Sequence, residues 1–111
     1  MNKHLFEWVV ENLIRNAIDA IGADAGFIKI RLQNMPKSVR LEVEDSGKGI
    51  PTNKQKTIFR PGYTTKSRGW GLGLSLAKRI VEEYHNGKIF VANSELGSGT
   101  TFRIVLKKPK E

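Results

Sequence analysis

The sequence predicts a two-layer α/β (α+β) sandwich, a mixed but mostly antiparallel sheet with helices packed on one face. Two amphipathic helical segments each precede a pair of alternating apolar and polar runs, so the order is helix, hairpin, long loop, helix, hairpin. Hairpins impose antiparallel pairing, and strands that are apolar on one side need a helical layer to cover them. With 111 residues, 39% hydrophobic and 27% charged, the chain fits one domain, residues 1–111, around one core.

The first helix spans residues 5–21. Phe6, Val9, Val10, Leu13, Ile14, Ala17, Ile18 and Ile21 recur at helical spacing and mark its buried side. Gly22 stops it, and residues 23–26 read as a turn. Ile28, Ile30 and Leu32 then share one strand face, with Lys29, Arg31 and Gln33 on the other. After the turn at residues 34–37, Val39, Leu41 and Val43 repeat the pattern. Residues 46–71 change character, rich in glycine, threonine and lysine, with only 52–59 able to form a short helix. A compact domain rarely carries so long a weakly structured segment unless it serves a function. The second helix opens at Gly71, with Leu72, Leu76, Ala77, Ile80, Val81 and Tyr84 facing the core, and ends at Asn86 and Gly87. Strands over 88–93 and 100–106, joined by the 97–99 turn, complete the chain.

Composition excludes several classes. There is no run of about 18 apolar residues to span a membrane, no signal-peptide pattern at the N-terminus and no cysteine for disulfides or thiolate metal sites. A net charge of +8 fits an anionic partner, yet the basic residues are scattered, as on an ordinary solvated surface. Nucleic-acid binding is not expected: Phe27 with Lys29, and Phe90 with Lys88, are too sparse an interleaving. His4 and His85 belong to no metal or triad pattern.

Asn12 and Asn16 are one helical turn apart, so they share a face, which Asp19 continues. Their carbonyl oxygens suit Mg²⁺ or its waters; the alternative is a pair of exposed or capping side chains. Asp45 follows Val39, Leu41 and Val43 at the strand period and points to the core side, where a carboxylate needs donors. An exocyclic amine would supply one; so would the backbone of the turn at 46–49. Gly47 and Gly49 permit the close backbone approach that a flat base requires. Gly69, Gly71 and Gly73 precede and open a helix, whose free N–H groups favour an anion. This is neither the dinucleotide fingerprint nor a G-x-x-x-x-G-K-[ST] phosphate loop. Thr64, Thr65, Lys66 and Arg68 place hydroxyls and cations nearby, either to reach a γ-phosphate or to keep a loop soluble.

In this order the pieces resemble the ATP-binding domain of sensor histidine kinases, in the superfamily of Hsp90, DNA gyrase and MutL. ENLIRNAIDA (11–20) is similar to the N-box, DSGKGI (45–50) to the G1 box and IFRPGYTTK (58–66) to the F-box and the start of a lid running to residue 70. GWGLGLSL (69–76) is similar to the G2 box and GSGTTF (97–102) to the closing G3-type strand. The resemblance implies the Bergerat-type histidine-kinase ATPase fold with a short ATP lid. It implies Mg²⁺ on Asn16 with Asn12 beside it, and the adenine amine on Asp45. Gly49 and Thr100 would place the base, Gly47 and Ile50 would line it, and Phe59 would anchor the lid. Thr64, Thr65, Lys66, Gly69, Gly71, Leu72, Gly73 and Leu74 would meet the phosphates or shape the hinge. The cofactors are then ATP or ADP with Mg²⁺, and Asn12, Asn16 and Lys66 act in catalysis.

Position 12 separates the subfamilies that the chain resembles. The ATPases carry a glutamate there as general base for water, whereas this chain has Asn12, and Glu11 lies about 100° round the helix. An amide cannot take a proton from water, which favours a kinase over a hydrolase. Asp19 stands where many kinases of the family have Lys or Arg, so Lys66, Arg68 or Lys78 has to supply positive charge. The family's phosphoacceptor histidine, followed by an acid, is missing: Leu5 follows His4. The expectation is therefore a cytoplasmic catalytic portion of a longer kinase, monomeric alone and dimeric in its parent. Its expected partners are a histidine-containing dimerisation domain and a response regulator. The alternatives are a serine kinase of the anti-sigma-factor type or a nucleotide-dependent interaction module.

Overall fold

Two helices cover one side of a four-stranded antiparallel sheet whose strand order is β1-β2-β4-β3. The computed structural model describes residues 3–23, 25–60 and 71–108, with the backbone alone at 71, 72 and 84. Helix α1 is Lys3–Ile21, strands β1 and β2 are Ile28–Asn34 and Ser38–Asp45, and helix α2 is Gly71–Arg79. A π-helical turn, Ile80–Tyr84, continues α2 into strand β3, Gly87–Glu95, and β4 is Gly99–Lys107. All three strand pairings are antiparallel, so the parallel element that a mixed sheet would need is not found among the described residues.

Helix α1 begins two residues earlier than its apolar pattern and ends as expected. Gly22 adopts φ +68°, and its N–H closes the last turn on the Ile18 carbonyl at 3.1 Å. Val9, Leu13 and Ala17 on its inner stripe are buried against Leu41 and Val43 of β2 and Phe102 and Ile104 of β4. Leu74, Ala77, Ile80 and Val81 close the core from α2 and its π turn, with Ile89 beneath them. A fully buried Leu or Val side chain is worth about 1.5–3 kcal/mol, so this cluster is the main source of stability.

Four apolar positions depart from the sequence reading: Ile18, at the edge of the α1 stripe, is exposed, and so are Ile30, Leu32 and Leu76. Ile30 and Leu32 do face the same side as Val43 and Leu41, their cross-strand partners, but they are exposed, Leu32 at 71%. Alternation fixes the side of a sheet; β1 is an edge strand that the helical layer covers only at its start, where Ile28 packs on the core. Leu76 is likewise exposed and Leu74 buried in its place. Leu74, Ala77 and Val81 fall three and four residues apart on one helical face, and Leu76 lies at the margin of that face. The segment 52–59 forms two single 3-10 turns, Thr52–Lys54 and Thr57–Phe59, instead of one helix.

On the uncovered face Glu42, itself buried, is clamped by Arg103 and Arg31. Its Oε2 accepts from Arg103 Nε at 2.7 Å and its Oε1 from Arg31 Nε at 3.0 Å. Arg31 also donates to Glu44 at 2.7 Å. The clamp ties β1, β2 and β4 together across their outer side.

Candidate functional site

Asp45 is the last residue of β2 and is 3% exposed. The strand period that buries Leu41 and Val43 carries its carboxylate to the helix-facing side. There Oδ1 accepts the Gly47 N–H at 2.8 Å. Burial pushes the Asp45 carboxyl up, and the Gly47 and Thr100 N–H groups pull it back only in part, while Glu44 adds to the rise. The turn-capping role expected from sequence is therefore real. It occupies Oδ1 and does not exclude a ligand role for the rest of the group.

The loop after β2 is held on both sides. The Lys48 N–H donates to Ala20 O of α1 at 3.1 Å, and a Cβ on Gly47 would lie 2.7 Å from the Ala20 Cβ. On the other side the Gly97 N–H donates to Lys48 O at 2.8 Å, and the Ile50 N–H to Ser94 Oγ at 2.7 Å. Gly49 has φ +80°, and any Cβ there would run into the Glu95 carbonyl, so glycine is required on both counts. Ile50 is half-buried and packs on the core.

Asn12 and Asn16 face this loop from α1. Asn12 is buried and Asn16 half-buried, so neither is the exposed pair of the alternative reading. The Asn16 side-chain NH₂ donates to Asn12 O at 2.8 Å and to Asn12 Oδ1 at 3.0 Å. The Asn16 carbonyl oxygen is of the hard, neutral kind that Mg²⁺ accepts. Asn12 Oδ1 is already an acceptor within the pair. Among the described residues no three His, Cys, Asp or Glu side chains gather to hold a metal. A Mg²⁺ here would fit only with ligand phosphates and water completing its shell, the usual manner for that ion.

Gly73, on the first turn of α2, lies over Asn12, and a Cβ on it would strike the Asn12 Nδ2. Phe59 is buried edge-on against Phe102, with ring centroids 6.1 Å apart, and so fixes the chain where residue 60 leaves the core. Leu74 belongs to the hydrophobic core. Thr100 is buried beside Asp45, its cross-strand partner. Asp45, Gly47, Gly49, Ile50 and Thr100 thus gather at one end of the sheet, and Asn12, Asn16 and Gly73 form a second group where α1 meets the start of α2. Thr64, Thr65, Lys66 and Gly69, with Arg68 and Trp70, lie outside the described residues. Gly71 and Leu72 are placed only as the helical start of α2.

Ser94 was not singled out by the sequence. Its hydroxyl accepts from Ile50, donates to Gly99 O at 3.1 Å and lies 2.9 Å from Thr100 Oγ1. A serine inside a strand carries no local signal; only the β3–β4 register, which pairs Ser94 with Thr100, reveals it. Of the two histidines, His4 is exposed, and His85 is buried with Nδ1 3.1 Å from the Ile80 carbonyl oxygen and its ring edge-on to Phe6.

Comparison with known proteins shows the family and the fold. Residues 2–110 match the family described as histidine kinase-, DNA gyrase B-, and HSP90-like ATPase. The C4-dicarboxylate transport sensor protein DctB of Rhizobium meliloti (strain 1021) is 40% identical over 108 residues, covering 96% of this chain and 17% of that protein. The sensor histidine kinase ZraS of Escherichia coli (strain K12) is 45% identical over 98 residues, covering 88% of this chain and 20% of that protein. The chain therefore spans a fifth or less of the length of these two relatives. Among solved structures, the nucleotide-free catalytic domain of histidine kinase ThkA superposes with a TM-score of 0.85 at 40% identity, over 96% of this chain and 68% of that one. ThkA in complex with the response regulator TrrA superposes with a TM-score of 0.75 at 40% identity, over 91% of this chain and 28% of that one.

Proposed function

The chain belongs to the family of histidine kinase-, DNA gyrase B- and HSP90-like ATPases, and from that membership we propose that it is the catalytic domain of a two-component sensor histidine kinase. A nucleotide is the ligand that the family implies. On our reading it is ATP or ADP with Mg²⁺, bound between α1, the 46–50 loop and the start of α2. The observation that carries the reading is the buried Asp45 carboxylate, raised by desolvation and capping a loop whose Gly47 packs on Ala20 of α1 and whose Gly49 lies against the Glu95 carbonyl.

Asp45 accepts from the exocyclic amine of adenine, with Gly49 and Thr100 beside the base. Asn16 offers its carbonyl oxygen to Mg²⁺, and Asn12 fixes the Asn16 amide. When bound, the ion neutralises charge on the phosphates. Phe59 anchors the segment that follows it, from which Thr64, Thr65, Lys66 and Gly69 reach the phosphates along with Gly71, Leu72 and Gly73. The acceptor is a histidine outside this chain. A neutral imidazole nitrogen attacks the γ-phosphorus with its own lone pair; the P–N bond forms as the bond to the ADP oxygen breaks. The attacking atom carries no proton, so the chain needs no general base, which agrees with Asn12 in place of a carboxylate.

A dimerising domain bearing that histidine, and a response regulator, are the partners this reading requires; ThkA, similar in fold, is seen with one such regulator. The ATP supply sets the domain on the cytoplasmic side. The test is incubation of the full-length kinase with γ-labelled ATP. Label held in an acid-labile, alkali-stable bond, and lost in Asn16→Ala, is the expected result. Acid-stable label, the mark of a serine or threonine ester, would overturn the histidine assignment.

A further inference from the structure

Ser94, Thr100 and Asp45 form a row across β3, β4 and β2, Ser94 paired with Thr100 and Thr100 with Asp45. Directly opposed residues share a face, so all three side chains stand on the helix-facing side, at the end of the sheet where the base is held. A serine hydroxyl has one proton and two lone pairs, and here each has a partner. One lone pair accepts the Ile50 N–H at 2.7 Å, and the proton goes to the Gly99 carbonyl at 3.1 Å. With the Ser94 proton assigned to Gly99 O, the remaining lone pair faces Thr100 Oγ1 at 2.9 Å, and the proton of that contact is assigned to Thr100.

We infer that Ser94 is a positioning residue that consumes the Thr100 hydroxyl proton, leaving Thr100 an acceptor and so setting the preference of the site for a 6-aminopurine. The inference rests on the nucleotide reading above. Ionised Asp45 is also an acceptor, so the base meets two acceptors and no hydroxyl donor from this row. A 6-amino group satisfies that arrangement. A 6-oxo group, as in hypoxanthine or guanine, sets an acceptor against acceptors, and a buried polar mismatch of this kind discriminates strongly. Without Ser94 the Thr100 hydroxyl regains its proton and is free to donate to the oxo group.

The experiment is calorimetric titration of wild type, Ser94→Ala, Ser94→Thr and Thr100→Val with Mg-ADP and with Mg-IDP, which differ in amine against oxo at that position. Wild type should prefer ADP. In Ser94→Ala the preference should fall about tenfold, ADP weakening while IDP holds or gains. Ser94→Thr keeps a hydroxyl and should restore most of the preference, and Thr100→Val should lower it. A Ser94→Ala variant in which both affinities fall by the same factor would show a merely structural serine and overturn the inference. So would full preference in Thr100→Val, which decides the matter even where Ser94→Ala is too unstable to titrate. Failure of wild type to bind either nucleotide would instead overturn the nucleotide reading itself.

Discussion

Gly73 lies directly over Asn12, so close that a methyl group on Gly73 would collide with the Asn12 amide nitrogen. The contact couples the first turn of α2 to the asparagine pair of α1. Asn12 in turn accepts both contacts from the Asn16 NH₂. Gly73→Ala gains helix propensity, worth about 1 kcal/mol, and so has little reason to unfold the domain. It should nevertheless displace Asn12, and Asn16 with it. Expected is a loss of Mg-ATP affinity of about tenfold or more at nearly unchanged Tm, read by titration and thermal melting.

Asp45 gives nucleotide binding a pH dependence of definite sign. Its carboxyl is held above the usual carboxylate range, chiefly by burial. Accepting the adenine amine requires the ionised form, so ADP affinity should fall as pH drops through this raised value. Asp45→Asn should flatten that limb of the profile.

The same shift acts oppositely on the empty protein. A raised folded-state pKa contributes stability below the unfolded value and loses it as pH rises through the folded value. At neutral pH the ionised Asp45 therefore works against folding. Asp45→Asn should melt no lower than wild type in the absence of nucleotide. A large drop in its Tm would show that the carboxylate is there for structure.

Glu42 has the reverse sign. Its hydrogen bond to Arg103, and less strongly that to Arg31, holds its pKa down against the burial that raises it. Its contribution is present above the unfolded carboxylate pKa and is lost as pH falls through the depressed folded value. Glu42→Gln should destabilise by about 1–3 kcal/mol, less than breaking a fully buried pair because both arginines keep solvent contact. ADP affinity should not change, since the clamp lies on the uncovered face of the sheet.

The core prediction is simpler. Leu13 is 1% exposed between α1 and the sheet. Leu13→Ala should cost about 2–5 kcal/mol in denaturant unfolding.

Much of this was legible in the sequence, and the limits have physical reasons. The helix stripe through Val9, Leu13 and Ala17 and the strand period through Leu41, Val43 and Asp45 are one-dimensional repeats, so the elements and the inward aim of Asp45 could be read directly. Which repeats would be covered could not. Ile30 and Leu32 carry the same alternation as Leu41 and Val43, yet only tertiary packing determines that the helices cover Ile28 and leave these two exposed. Leu74 rather than Leu76 is in the core because both fit an apolar stripe with Ala77 and Ile80, and only packing against α1 and the sheet decides which lies at its centre. In the site, Asn12, Asn16, Asp45 and the glycines stood out by residue type and motif. Ser94 did not, because its role depends on a register between two strands.

The most direct test of the central claim, that this fold holds adenine on a buried carboxylate, is calorimetric titration of wild type and Asp45→Asn with Mg-ADP at neutral pH. The account predicts saturable one-site binding by wild type and a loss of about tenfold or more in the variant. Equal affinities in the two proteins would contradict it.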